Sequence, residues 1–117
     1  MALLQGGGQV ETIVQWPLLY GNEELVGRGT LLTISPLECL VVGTMAVATG
    51  MLLKLWISPP EREDALYVKD ARVLSTRGNQ FRLDLRDLDA QDREWLMSFL
   101  SRRGALDAHH AAPEISG

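Results

Sequence analysis

Cysteine and histidine are scarce in this 117-residue chain, and their positions exclude several kinds of chemistry. Cys39 is the single cysteine, which excludes a disulfide framework and disfavours a cysteine-based zinc site. The two histidines, His109 and His110, have only Asp107 and Glu114 near them in the sequence, so we predict no metal site. No nucleophile stands beside a base, and we therefore expect a protein that is not an enzyme and has no cofactor.

Basic residues are absent from the first 27 positions, where Glu11, Glu23 and Glu24 are the charged residues and Arg28 is the first base. The formal net charge is −4. This balance disfavours nucleic-acid binding, which needs basic surface to displace counterions, and the few aromatics also disfavour a small barrel that binds nucleic acid or oligosaccharide.

Long hydrophobic runs are absent as well. The most apolar stretch, residues 37–55, is interrupted by glycine, threonine and charged residues, so we predict no membrane span. The N-terminus lacks the basic start and apolar region of a signal peptide. Because a single cysteine suits a reducing compartment, we expect a cytoplasmic protein.

Short segments of alternating polarity dominate the rest of the chain and predict six strands, over residues 12–20, 25–34, 39–42, 51–57, 66–75 and 81–85. Pro17 confines the first strand to an edge or a break, and the pattern slips near Asp70 as at a bulge. In the second strand we expect Leu32 and Ile34 on one face, with a bulge marked by its glycines. Residues 43–50 are compatible with either a loop or a helical turn.

One amphipathic helix follows the strands. Asp89 is the predicted N-cap, Asp92 occupies a capping-box position, and Gly104 is the predicted C-cap. Trp95, Leu96, Phe99 and Leu100 share the apolar face in this pattern.

Six strands at hairpin spacing and one helix predict a mainly β protein, in which the sheet closes into a small antiparallel barrel. We predict a flexible arm over residues 1–10, the barrel and its helix over residues 11–103, and a disordered tail over residues 104–117.

Residues 29–42 form two apolar runs around the turn Ser35-Pro36-Leu37-Glu38. We predict that Ser35 hydrogen-bonds the backbone of its own turn, as serine often does before proline, although its hydroxyl could instead bind a ligand. Thr33 fits the polar face of a strand. Cys39 lies in an apolar run without an adjacent base, which favours a buried structural role.

This turn and its two strands, together with residues 51–57 and the hairpin and helix of residues 71–100, resemble the PilZ domain family. The resemblance implies a six-stranded barrel of a bacterial signalling protein, and many members of that family bind cyclic di-GMP. The family binds it through Arg-x-x-x-Arg in the arm and (Asp/Asn)-x-Ser-x-x-Gly in the turn.

The chain departs from both motifs. Of the turn motif it keeps Ser35, while Thr33 replaces the acidic or amide residue and Glu38 replaces the glycine. The arm has Gln5 and Gln9 at the spacing of the two arginines. The position of a glycine frequent in the last strand of the family is Arg82.

The resemblance therefore implies an atypical PilZ-like protein that acts in second-messenger or motility signalling, pilus or flagellar, by binding another bacterial protein. Cyclic di-GMP binding would be weak or lost. The alternative is a cyclic di-GMP receptor with altered contacts from Arg28, Thr33, Ser35 and Glu38 or the later arginines.

Aromatic and aliphatic residues supply the candidate interaction surface, for which we name Leu52, Trp56, Trp95 and Phe99. Trp56 falls on the strand face opposite Leu53 and allows two interpretations. It could be exposed outside the barrel, or it could pack under the terminal helix.

Overall fold

The computed structural model describes the backbone of residues 11–116 and the side chains of residues 11–103. The elements in chain order are β1 (Thr12–Gly21), β2 (Val26–Ile34), β3 (Glu38–Gly43), β4 (Leu52–Ile57), β5 (Leu66–Arg77), β6 (Gln80–Asp84) and α1 (Ala90–Ser116). The strands form a closed antiparallel barrel in the order β1-β2-β3-β6-β5-β4. The predicted fold class, a closed six-stranded barrel with one C-terminal helix, is confirmed.

Strand β1 closes the barrel because it pairs with β2 along one side and with β4 along the other. Its pairing with β4 begins at Leu18, one residue after Pro17, whose side chain is exposed. Pro17 lies opposite Ser58, and its missing N–H removes one of the two hydrogen bonds that this pair could form, so the ladder begins one residue later. The Pro17 carbonyl still accepts a hydrogen bond of 2.9 Å from the backbone N–H of Ser58.

The core lies inside the barrel and continues under the helix. Alternate residues of β1 point inward, namely Val14, Trp16, Leu18 and Tyr20. Trp16 packs against the helix, with ring centroids 5.0 Å from Phe99 and 6.1 Å from Trp95. The predicted apolar face of the helix thus covers one part of the barrel, where Leu96 is fully buried.

Four of the strand pairings carry a register shift, and two of these shifts bear on the strand predictions. The predicted irregularity near Asp70 is present: Leu55 pairs with Val68 and Leu53 with Ala71, which leaves one extra residue in β5. In β2 the prediction was wrong. The register shifts between Leu31 and Thr33, so that Leu31 and Ile34 are the buried pair.

Two glycines, Gly27 of β2 and Gly43 of β3, lie against the buried ring of Tyr20. A Cβ on Gly27 would lie 2.5 Å from the ring, and one on Gly43 would lie 2.3 Å from the hydroxyl. That hydroxyl donates to the carbonyl of Met45 at 2.7 Å and accepts from its N–H at 2.8 Å. Glycine is therefore needed at both positions for close packing against Tyr20. The Tyr20 hydroxyl also holds the segment that follows β3, residues 44–50, which is a loop rather than a helical turn.

The helix begins as predicted but ends later. The Asp89 carboxylate accepts from the N–H of Gln91 at 3.0 Å, as an N-cap does. The helix continues beyond Gly104 to Ser116, so the predicted C-cap was wrong; alanines after Gly104 favour helix enough to offset one glycine. The predicted arm lies outside the described residues, and the division into arm, barrel and tail stays a prediction.

We expect Gly27→Ala to destabilise the protein by about 1–3 kcal/mol, because the added methyl group would overlap the enclosed Tyr20 ring. Urea denaturation of both proteins measures the difference. Thr30→Ala, at a half-buried position of the same strand, is the control for altered strand propensity. A Gly27→Ala protein with an unchanged midpoint would show that the ring has room to move.

Candidate functional site

The Ser35 turn is closed by its own hydrogen bonds. The N–H of Ser35 donates to the carbonyl of Glu38 at 2.8 Å. The Ser35 hydroxyl lies 3.2 Å from both the N–H and the carbonyl of Glu38, and the residue is buried. Ser35 thus occupies the position of a turn residue bonded to local backbone, and its hydroxyl is used within the turn.

Arg93 of the helix fixes this turn from the other side. Its guanidinium donates to the carbonyl of Pro36 and to the carbonyl of Leu85. The N–H of Leu85 also donates to the carbonyl of Leu37 at 2.8 Å. Since a guanidinium presents several donors in a rigid fork, one side chain can hold both backbone segments together. Nothing in the sequence pattern indicated the contact between Arg93 and Pro36, which are 57 positions apart.

A second polar group lies on the strand side of the turn. Glu11 accepts a hydrogen bond from the Thr33 hydroxyl at 2.7 Å and another from Arg82. Arg82 also lies 3.8 Å from the carboxylate of Glu38. We call Glu11, Thr33, Glu38 and Arg82 the carboxylate cluster. It holds two carboxylates and one guanidinium, so its net charge is negative.

Protonation equilibria within the cluster follow from these contacts. Partial burial alone would raise the pKa of Glu11, but the hydrogen bonds from Arg82 and Thr33 outweigh it and hold that pKa below its ordinary value. The hydrogen bond to Glu11 in turn raises the pKa of Arg82. The pair is therefore ionised at neutral pH, and each charge already has its partner.

The other predicted ligand residue, Arg28, does not join this group. It lies five residues before Thr33 on β2, which corresponds to roughly 16 Å of extended strand. Its backbone pairs with Thr44, whose hydroxyl accepts from its N–H at 3.2 Å. The structure therefore brings Thr33, Ser35 and Glu38 together, and it leaves Arg28 apart from them.

Cys39 follows the turn and faces the core. It is fully buried, and this burial, more than the nearby Glu11, raises the pKa of its thiol far above the ordinary value. A thiol that stays protonated and inaccessible is a poor nucleophile, which agrees with a structural role.

The candidate interaction residues divide into two groups. Trp56 and Leu52 lie on the outer face of β4 with 39% and 45% of their surface exposed, so Trp56 does not pack under the helix. Phe99 is buried and Trp95 is partly buried against the core. Both were named for the candidate interaction surface, but they pack against Trp16 of the barrel, and the buried Phe99 cannot contribute to that surface.

Among the residues whose side chains are described, no cluster of three or more potential ligands could hold a metal ion. His109 and His110 lie outside that range. Within the described residues, no helix is both long enough and apolar enough to span a membrane.

No family model matches the sequence, and a comparison with curated proteins found no significant match. Among solved structures, the chain is similar to the Bacillus subtilis inhibitor of motility (MotI/DgrA), with a TM-score of 0.68 and 23% sequence identity. The alignment covers 86% of this chain and 52% of that one, so the chain spans about half of the length of that structure. The likeness shows the fold, a PilZ-like barrel.

Replacing Arg93 should loosen the Ser35 turn. We expect Arg93→Met to lose about 2–3 kcal/mol of stability, since two carbonyls lose a charged donor. We also expect faster hydrogen exchange at the Leu85 amide. Arg102→Met, which removes an exposed arginine of the same helix, is the matched control and should change neither quantity. Equal exchange rates at Leu85 in the two variants would contradict the role given to Arg93.

Glu11 should contribute stability that depends on pH. Because its pKa is lowered on folding, the contribution is complete above its ordinary value of 4.5 and is lost as the pH falls through the folded pKa. Glu11→Gln should therefore cost about 0.5–1 kcal/mol at pH 7 and progressively less below pH 4.5. Denaturation across this pH range, with exposed Glu24→Gln as control, measures it. A difference that grows on acidification would contradict the assignment.

Proposed function

We propose that this chain is an atypical PilZ-like protein of bacterial second-messenger or motility signalling, and that it acts as a non-enzymatic module that binds another protein. Cyclic di-GMP binding is weak or lost in this proposal. Support for the motility context comes from the shared fold with a protein named as an inhibitor of motility.

The observation that supports weak or lost ligand binding is that the polar side chains at the turn already form hydrogen bonds within the protein. The Ser35 hydroxyl bonds to Glu38 backbone, and the Thr33 hydroxyl bonds to Glu11. Arg82, the nearest guanidinium on the strand side, is paired with Glu11. A ligand with two phosphates would have to displace these contacts and approach two carboxylates.

The magnitudes favour loss of binding. A hydrogen bond to a charged group contributes about 1.5–3 kcal/mol net. Replacing both arginines of the arm motif with Gln5 and Gln9 would therefore remove roughly 3–6 kcal/mol, or about 100- to 10,000-fold in affinity. A site that binds at micromolar strength with the full motif would then be too weak to respond to a second messenger.

The alternative receptor would need Arg28 to act with Thr33 and Ser35. The separation along β2 described above disfavours a single contact surface for them, since Arg28 lies roughly 16 Å from Thr33 along the strand. The two functions differ directly in their affinity for the nucleotide.

Isothermal titration with cyclic di-GMP tests the proposal. We expect no heat of binding up to about 100 μM ligand, because the contribution of the two missing arginines is lost. A variant that restores the motifs, Gln5→Arg and Gln9→Arg with Thr33→Asp and Glu38→Gly, should gain measurable affinity. Low-micromolar binding by the natural sequence would refute the proposal in favour of the receptor.

A further inference from the structure

The outer face of β1 and β4 carries an apolar groove of about 670 Å³. Its lining includes the apolar side chains of Leu19, Val26 and Trp56, and Lys54, Ser58 and Ala65 also line it. We call this the outer groove. It is separate from the Ser35 turn and the carboxylate cluster, which lie at the other end of β2.

Strand pairing places the apolar residues of the groove side by side. Leu19 of β1 pairs with Trp56 of β4, and Trp56 pairs with Tyr67 of β5. The Trp56 and Tyr67 rings lie 5.4 Å apart. Leu19, Trp56 and Tyr67 expose 48%, 39% and 37% of their surface, and Val26 exposes 75%. A contiguous exposed row with two aromatics is typical of a protein-binding surface.

Acidic residues border the groove at both ends. Glu23 lines it at the β1–β2 turn, next to Glu24 in the sequence. At the other end, the loop between Ser58 and Ala65 carries exposed Glu61, Glu63 and Asp64.

The basic groups nearby are fewer. Lys54 lines the groove, and Arg28 flanks Leu19 on β2. Arg62 of the acidic loop is held by Asp92 at 3.2 Å and lies over the ring of Trp95. The balance at the groove is therefore acidic.

This distribution of charge selects among possible occupants. A second copy of the chain, docked through the same groove, would bring acidic ends together in either antiparallel or parallel orientation, because both ends are acidic. At the groove, β1 pairs with β4 and β4 pairs with β5, which leaves no free edge there for an added strand. The remaining mode is insertion of side chains from a helix or loop of a different protein.

We infer that the outer groove binds a basic amphipathic segment of a partner protein, with apolar side chains against Leu19, Val26 and Trp56 and lysines or arginines against the acidic ends. This inference rests on the proposed protein-binding function and names its surface and the chemistry of its partner.

Two fluorescein-labelled model helices test the inference. Both have 18 residues and a leucine face, and the polar face is lysine in one and glutamate in the other. Fluorescence anisotropy should show the lysine peptide binding at least tenfold more tightly than the glutamate peptide.

Trp56→Ser should weaken binding of the lysine peptide by at least tenfold, whereas Ile13→Ser, at an exposed strand position outside the groove, should leave it unchanged. Glu23→Lys with Glu24→Lys should weaken the lysine peptide and favour the glutamate peptide.

Equal affinity for the two peptides, or equal effects of Trp56→Ser and Ile13→Ser in folded proteins, would overturn the inference. Circular dichroism establishes that each variant is folded. If a motility protein co-purifies equally with the wild type and with Trp56→Ser, the groove is refuted while the proposed function stands. Low-micromolar cyclic di-GMP binding would refute the proposed function. The peptide titrations would then still test whether the outer groove binds a basic segment.

Discussion

Pairing of β1 with both β2 and β4 is the constraint on which the rest of the structure depends. It closes the sheet, so that alternate residues of β1 line the core from the helix at Trp16 to the loop at Met45 held by Tyr20. The same closure places Leu19 beside Trp56 on the outside. One strand therefore links the core, the support of the helix and the outer groove.

The Ser35 turn has the outline of a ligand-binding turn but the interactions of a structural one. Arg93 joins the turn to the helix, and the Ser35 hydroxyl bonds to the backbone of Glu38 within the same turn. On the strand side, Glu11 pairs with Arg82, which stands at a position where glycine is frequent in the PilZ family that the sequence resembles. The hydroxyls of Ser35 and Thr33 and the guanidinium of Arg82 are thus already partnered within the described residues, as expected of a structural turn.

Local pattern predicted most of the fold. Alternation placed Leu53, Leu55 and Ile57 inward, and the slip near Asp70 marked a bulge, because each depends only on neighbours in the chain. The bulge at Leu32 was missed since an apolar run does not show which residue is extra. The helix end was missed because one glycine is weak evidence against the several helix-favouring alanines that follow it.

The site was less predictable because its contacts are long-range. Asp92 has the spacing of a capping box, but it bonds Arg62 instead. Glu11 and Arg82, 71 positions apart, carry no mutual signal in one sequence.

The direct test of whether the turn has become structural is an amide-shift titration with cyclic di-GMP, followed at residues 33–38. We expect unchanged shifts there over the nucleotide range of the calorimetric titration, and saturable shifts confined to those residues would show that the turn still binds the nucleotide.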